Sequence, residues 1–298
     1  MTLLQLQYFS VLARVLHYTH AAEELHISQP TLSYSIRELE KELDVKLFTK
    51  KNRKITLTES GERFLPYVQK SLNLLDEGTG MLKQISGTAQ MSVKLGYFHS
   101  ISASLIPALV EKVYHGSDTS RIRFQFTEGT SFDIFNQLKR GELDLAFCAH
   151  RDDWADSITI MKQPLYLAVP FEHPLAKRHS VEFEDFAREP MVMLDKPSSL
   201  RMLTDRIFTR RGVIPNVVFE VRECNAALQY VALKFGVAIL PDVPAMKTER
   251  VCAIPIADEA REFVRTVYLS WDRSRPLTPP AQQVRNLIVR EFASSSPG

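Results

Sequence analysis

The stretch SQPTLSYSIRELEKEL, Ser28 to Leu43, carries the pattern that decides the fold of the first part of this chain. Ser28 is suited to accept from the orphan N–H groups of a helix start, and Pro30 falls in the first turn, where its missing N–H is harmless. Leu32, Ile36, Leu39 and Leu43 follow at spacings of four, three and four, which makes one apolar stripe. At about 100° per residue, Pro30, Tyr34 and Arg37 lie opposite that stripe, and Gln29 and Ser33 flank it. Together with Thr31 these side chains can reach base edges, a thymine methyl or phosphates in DNA. Glu38, Glu40 and Glu42 crowd the far end, where they are expected to repel phosphates. The N-terminal end of the helix is therefore the one expected to enter a groove.

Upstream, Leu3, Leu6, Phe9, Leu12 and Ala13 recur at helical spacing, and Thr19 is placed to cap a second helix containing Ala21, Ala22 and Leu25. Two short helices joined by a tight turn at His26–Ile27, the second with a polar face, make a helix-turn-helix pattern. Downstream, Lys46, Lys50, Lys51, Arg53 and Lys54 are clustered with no acid among them. A turn near Lys51–Asn52 followed by a strand at Ile55–Leu57 predicts a hairpin wing, whose Arg53 could enter a minor groove. Thr58 is a suitable N-cap for a helix running to about Ile85. Leu65, Val68, Leu72, Leu75 and Leu82 alternate by threes and fours with Thr79, a heptad seam that predicts a paired helix; the alternative is a helix packed on its own domain. Small and glycine residues from 86 to 90 mark a hinge.

A chain of 298 residues suits two or three domains, and its net charge is close to zero, with 37 basic against 35 acidic side chains. Nucleic-acid binding must therefore rest on local charge, which the basic wing provides. Cys148, Cys224 and Cys252 lie far apart and are expected to be reduced and buried. The chain opens with no signal-peptide pattern and contains no apolar run near the ~20 residues that span a bilayer, so a cytoplasmic protein without membrane contact is expected.

From Gln90 onward strands and helices alternate. Strands are expected at 92–97, 121–126 and 143–148, with helices at 103–114 and 132–140, the second stopped by Gly141. A second unit follows, with strands at 165–169, 191–194, 217–221, 237–240 and 264–270. Its helices at 200–212 and 225–235 meet glycine stops at Gly212 and Gly236, and a last helix spans 281–292. This is the pattern of mostly parallel sheets covered on both sides, with ligands gathered at the carboxyl ends of the strands. Those ends carry His99, Ser100 and Ser102, then Thr130 and Ser131, then His150, while Ser198, Ser199 and Arg201 sit at a helix start. Hydroxyls, backbone N–H groups and an arginine suit a carboxylate or other small anion; Ser131 and Asn225 can equally be read as helix caps.

The run AAEELHISQPTLSYSIRELEKELDVKLF, 21 to 48, continued by LTESG at 57 to 61, resembles the DNA-binding module of the LysR-type transcriptional regulators, and the rest of the chain is similar to that family's effector domain. The resemblance implies that Gln29, Pro30, Ser33 and Arg53 meet DNA, and that Ser100, Ser102, Thr130 and Ser199 face an effector cleft. It implies a winged helix-turn-helix domain at 1–58, a dimerising linker helix and hinge at 59–89, and a two-subdomain effector domain at 90–298 resembling periplasmic binding proteins. Lobe I would comprise 90–162 and 267–298 and lobe II 163–266, joined by crossings near Met161–Gln163 and Arg265–Thr266. The implied partners are operator DNA, a second copy in a homodimer or tetramer, a small-molecule effector and RNA polymerase, with no metal or other cofactor. Two positions depart from the family pattern: Asp44 stands where glycine commonly ends the recognition helix, and Tyr34 where arginine is common. The rival readings are an enzyme or small-molecule-binding protein whose helix-turn-helix serves only to dimerise. No Gly-x-Ser-x-Gly elbow, phosphate-binding glycine loop or Cys-x-x-Cys supports the enzyme reading.

Overall fold

Helix α1 (Leu3–Val15) opens the computed structural model, which describes every residue except 52–53, 86–90, 116–118, 120, 197, 247–248, 258–260 and 294–298. Thr2 caps α1 in a reciprocal box with Gln5. Helix α2 (Tyr18–Glu24) starts two residues earlier than Thr19 would have set it, because the His17 ring nitrogen accepts from the His20 N–H and takes the cap position. In α3 (Gln29–Leu43) Ser28 does cap, accepting from Thr31, and the stripe Leu32, Ile36 and Leu39 is fully buried. Asp44 closes α3 in the left-handed region, φ 52°, the conformation for which glycine is the usual residue. Strands β1 (Phe48–Lys51) and β2 (Lys54–Leu57) form the antiparallel wing, with Phe48 opposite Leu57 and Lys51 opposite Lys54. Helix α4 (Glu59–Ile85) follows; the Thr58 hydroxyl accepts from the Gly61 N–H at 3.1 Å and donates to the Lys46 carbonyl.

The seam expected along α4 is divided by its packing. Val68 is only 1% exposed and belongs to the core made by Phe9, Leu12, Ala21, Leu32, Ile36, Leu39 and Leu47, with Leu65 and Leu72 packed against it. These three therefore serve the helix's own unit, because the turn of α4 that carries them lies on α1. Leu75 and Leu82, at 52% and 68% exposed, remain free on the unit's surface beside Leu74.

Glu40 is the other departure. It was expected among surface acids, yet it is buried and accepts from the backbone N–H groups of Leu47 (2.9 Å) and Phe48 (3.2 Å) and from Lys46 Nζ (2.7 Å). A helix residue thus ties down the strand that begins the wing.

Residues 90–298 form a second unit. In chain order it contains β3 (Ser92–Phe98), α5 (Leu105–His115), β4 (Arg123–Gly129), α6 (Ser131–Lys139), β5 (Leu145–Cys148), β6 (Ala155–Pro170), α7 (Phe183–Phe186), β7 (Pro190–Leu194), α8 (Ser199–Arg210), β8 (Asn216–Val221), α9 (Cys224–Ala232), β9 (Ala238–Pro241), β10 (Val251–Pro255), β11 (Val264–Asp272) and α10 (Pro279–Phe292). Strands β4, β3 and β5 run parallel, and β11 joins β5 antiparallel. Strand β6, read from sequence only as its last third, is 16 residues long, and its first part, Ala155 to Pro164, pairs with the whole of β11. Its remaining partners are β10 and β9, and β7 and β8 form a separate parallel pair. Strands β6 and β11 give Ile160, Val267 and Leu269 to one hydrophobic core, and β6 continues with Leu165 and Leu167, beside Phe263 just before β11, into another.

Gly212 ends the α8 segment at φ 67°, as expected. Gly236 does not end α9: Lys234 takes the left-handed conformation there, at φ 65°. A Cβ on Gly236 would lie 2.3 Å from the Pro190 carbonyl oxygen, so glycine is required by close approach of β7.

Replacing Glu40 with alanine leaves two buried N–H groups without acceptors. Glu40→Ala should lower the unfolding free energy of the full chain by ~3 kcal/mol, measured by urea denaturation; a loss within experimental error would mean that the wing is anchored by other contacts.

Candidate functional site

In the N-terminal unit, Gln29, Pro30 and Thr31 are exposed in the first turn of α3, Tyr34 is 65% exposed and Ser33 is half-buried beside it. The Thr31 hydroxyl lies 2.7 Å from Ser28 Oγ, so part of its hydrogen-bonding capacity is used in the cap. Arg37 folds back along the helix and donates to Ser33 Oγ at 3.1 Å and to the Ser33 carbonyl at 3.4 Å. Lys50 and Lys54 are exposed on the hairpin; Lys51 is placed by its backbone pairing, and Arg53 lies outside the described residues. The acidic far end of α3 is less charged than its sequence suggests, because Glu40 is buried and Glu42 pairs with the terminal amine of Met1. Backbone N–H groups at an uncluttered helix start, with hydroxyl, amide, phenol and guanidinium groups beside them, form a surface suited to a DNA groove.

The second unit carries a small open cavity at the carboxyl ends of its parallel strands. It is lined by Phe98, His99 and Ser100 at the end of β3, Gly129 to Ser131 at the end of β4, Leu194, Ser198 and Ser199 at and after the end of β7, and Arg222 to Cys224 after β8. Three helices, α6, α8 and α9, therefore start at its wall, each presenting N–H groups that favour negative charge. The Thr130 hydroxyl caps α6, accepting from Asp133, and Ser198 caps α8, accepting from Leu200. Neither Ser131 nor Asn225 is an N-cap. Ser131 Oγ instead accepts from the Ala149 N–H at 2.8 Å and lies 3.3 Å from His150 Nδ1, which fixes the end of β5.

The central cation is one the residue pattern did not single out as a ligand. Arg265 on β11 is 5% exposed, and its guanidinium lies 4.8 Å from the Phe98 ring centre. It donates to Ser100 Oγ at 2.7 Å and to Gln163 Oε1 at 2.6 and 3.1 Å, and these neutral oxygens are the acceptors found for it among the described residues. Burial pulls the Arg265 guanidinium down to about 10, so its charge is held at a desolvation cost that a bound anion would offset. The signal in the sequence was a lone arginine between Val264 and Val267 in otherwise apolar strand text.

Arg201, expected at the cleft, is turned away from it. It pairs with Asp205 (2.8 Å) and Glu220 (2.7 Å) and donates to the Leu194 carbonyl, so its charge is already compensated within the lobe. His150 lies outside the cavity lining, against Phe135, and burial lowers its basicity. Ser102 donates to the His99 carbonyl and lines a second cavity, while Ser199 lines the first. Cys224, also missed, lines both cavities; burial pushes its thiol up to about 11. Among the described residues no group of three or more His, Cys, Asp or Glu side chains could hold a metal ion, and no helix is long and apolar enough to cross a membrane.

Residues 3–62 match the family model for the bacterial regulatory helix-turn-helix protein, lysR family, and residues 86–293 match the LysR substrate binding domain. The HTH-type transcriptional regulator YybE of Bacillus subtilis (strain 168) is 33% identical over 97% of this chain and 98% of its own length. Among solved structures, a full-length OxyR variant from Pseudomonas aeruginosa is similar over 100% of this chain and 99% of its own, with a TM-score of 0.73 at 23% identity. The effector binding domain of QuiR, in complex with shikimate, is similar over 67% of this chain and 96% of its own, with a TM-score of 0.63 at 25% identity. A helix-turn-helix head and a two-lobed effector domain in one chain, matched by both family models, make this protein a member of the LysR family of DNA-binding, effector-responsive transcriptional regulators, and not an enzyme.

Proposed function

We propose that this regulator reads its operator through Gln29, Pro30, Thr31, Ser33, Tyr34 and Arg37 on α3 and Lys50, Lys51, Arg53 and Lys54 on the wing, and that its effector is a small carboxylate held at Arg265. The observation that carries the effector reading is the buried guanidinium whose hydrogen-bond acceptors among the described residues are neutral, in a cavity lined by three helix starts. The complex of the QuiR domain with shikimate, itself a carboxylate, supports it. Ser100, Thr130, Ser131, Ser198 and Ser199 supply the surrounding hydroxyl and N–H groups. The effector acts by binding two states of the lobes with different affinity, which alters DNA bending or contact with RNA polymerase. Pairing of two chains is assigned to the exposed half of α4, at Leu75 and Leu82.

Small carboxylates, amino acids included, should raise the melting temperature of the full chain, and Arg265→Gln should abolish that shift while operator binding persists. Arg201→Met should lower stability yet keep the shift; loss of the shift in Arg201→Met but not in Arg265→Gln would move the anion site to Arg201. For DNA, Ser33→Ala and Arg53→Ala should each weaken gel-shift binding to the region upstream of the gene at least tenfold. Wild-type affinity should fall steeply with salt as counterions are released, and normal binding by both variants would exclude this reading face. For pairing, Leu75→Asp with Leu82→Asp should halve the mass seen by light scattering without unfolding the head, whereas Val68→Asp should unfold it. An unchanged mass in the Leu75/Leu82 variant would put the interface elsewhere.

A further inference from the structure

A second, larger open cavity adjoins the one that holds Arg265. His99, Ser100, Glu223 and Cys224 line both, so the two spaces share a wall. Their electrostatic characters differ. Beyond the shared wall, which holds the start of α9, the first has the buried Arg265, Arg222 and the starts of α6 and α8. The second has the carboxylates of Glu128 and Glu223, the amide of Asn225 and an apolar side made by Val243, Pro244 and Ala245. Its one basic group among the described residues, His99, is engaged by Glu128, 2.9 Å from Nδ1 to Oε1.

A ligand spanning both spaces therefore meets a cation and N–H donors at one end and oxygen acceptors at the junction and beyond. A second carboxylate on such a ligand would be placed among Glu223 and Glu128, where like charges repel. An ammonium would be received there as a charge-assisted donor. Because Glu223 lines both cavities, the ammonium sits at the junction, close to the carboxylate, and not at the far end of a long molecule.

Building on the carboxylate reading above, we infer that the effector is an α-amino acid. Its carboxylate lies at Arg265, its ammonium at Glu223, and its side chain in the second cavity against Val243, Pro244 and Ala245. Glu223 is thus a specificity-determining residue that selects amino acids over their deaminated and dicarboxylate counterparts.

The test is calorimetric titration of the full-length wild-type chain with the twenty L-amino acids. For any that bind, titration is repeated with the matched compound in which hydroxyl or hydrogen replaces the ammonium, and with the matched amide that keeps the ammonium but lacks the carboxylate. At least one amino acid should bind, and both counterparts should bind at least tenfold more weakly. Glu223→Gln should remove the preference for the ammonium, and Arg265→Gln the preference for the carboxylate, each variant first checked for a native circular dichroism spectrum. The core comparison uses only wild-type protein, so a variant that fails to fold does not affect it. If the deaminated acid binds as well as the amino acid, or if only dicarboxylates bind, the amino-acid inference falls while the carboxylate reading stands. If the amide binds as well as the acid, the carboxylate reading falls with it. Absence of binding by all twenty overturns the inference, and a response to other carboxylates then decides the broader reading.

Discussion

A guanidinium kept nearly dry, stacked on Phe98 and hydrogen-bonded, among the described residues, only to the neutral oxygens of Ser100 and Gln163, is the constraint around which the effector half is arranged. Taking such a charge out of water is costly, and elsewhere in the same lobes the fold meets that cost with carboxylates, as around Arg201. At Arg265 it does not. What the fold supplies are three helix starts and a ring of hydroxyls around open space. Those groups cannot compensate a cation; they favour an anion. The crossing of the two lobes is thus electrostatically incomplete by itself, which is the property a ligand-responsive element needs.

The N-terminal head solves a different problem, which is to hold a two-stranded wing too short to be stable alone. The wing is fixed from below by Phe9 packed on Phe48 and from the side by Glu40, whose carboxylate fills the N–H groups where the strand begins. Thr58 adds a bond from the start of α4 back to Lys46. The orientation of the basic hairpin relative to α3 is therefore set by α3 itself. Reading helix and the base of the wing are thus tied together by these contacts.

Much of this was legible in the residues. The apolar stripe of α3, the cap at Ser28, the turn at Asp44 and the alternating strand and helix text each state a local preference that the fold keeps. What escaped depends on partners distant in sequence. Arg265 meets Ser100 across 165 positions and Gln163 across 102, so the apolar strand text around it hints at burial but names neither partner. Glu40 has the spacing of a surface acid, and only the path of the chain after Asp44 brings Leu47 and Phe48 to it. Val68 fits a heptad seam and a domain core equally well, since both repeat every three to four residues. Gly236 looked like a helix stop because glycine after a helix often is one; the tight approach of Pro190 is a tertiary fact.

The β6–β11 pair gives the two lobes a connection with particular mechanical properties. Backbone bonds run from Ala155 opposite Asp272 to Pro164 opposite Val264, broken in register only at Val267/Tyr268. Sliding one strand along the other would rupture several bonds at once, so the joint is stiff in translation. Twisting and bending keep every bond and are soft, most of all at the bulge, where the ladder is already irregular. The lobes are thus hung on a torsion spring rather than on loose loops. A spring of this kind returns to one rest angle whenever the load is removed.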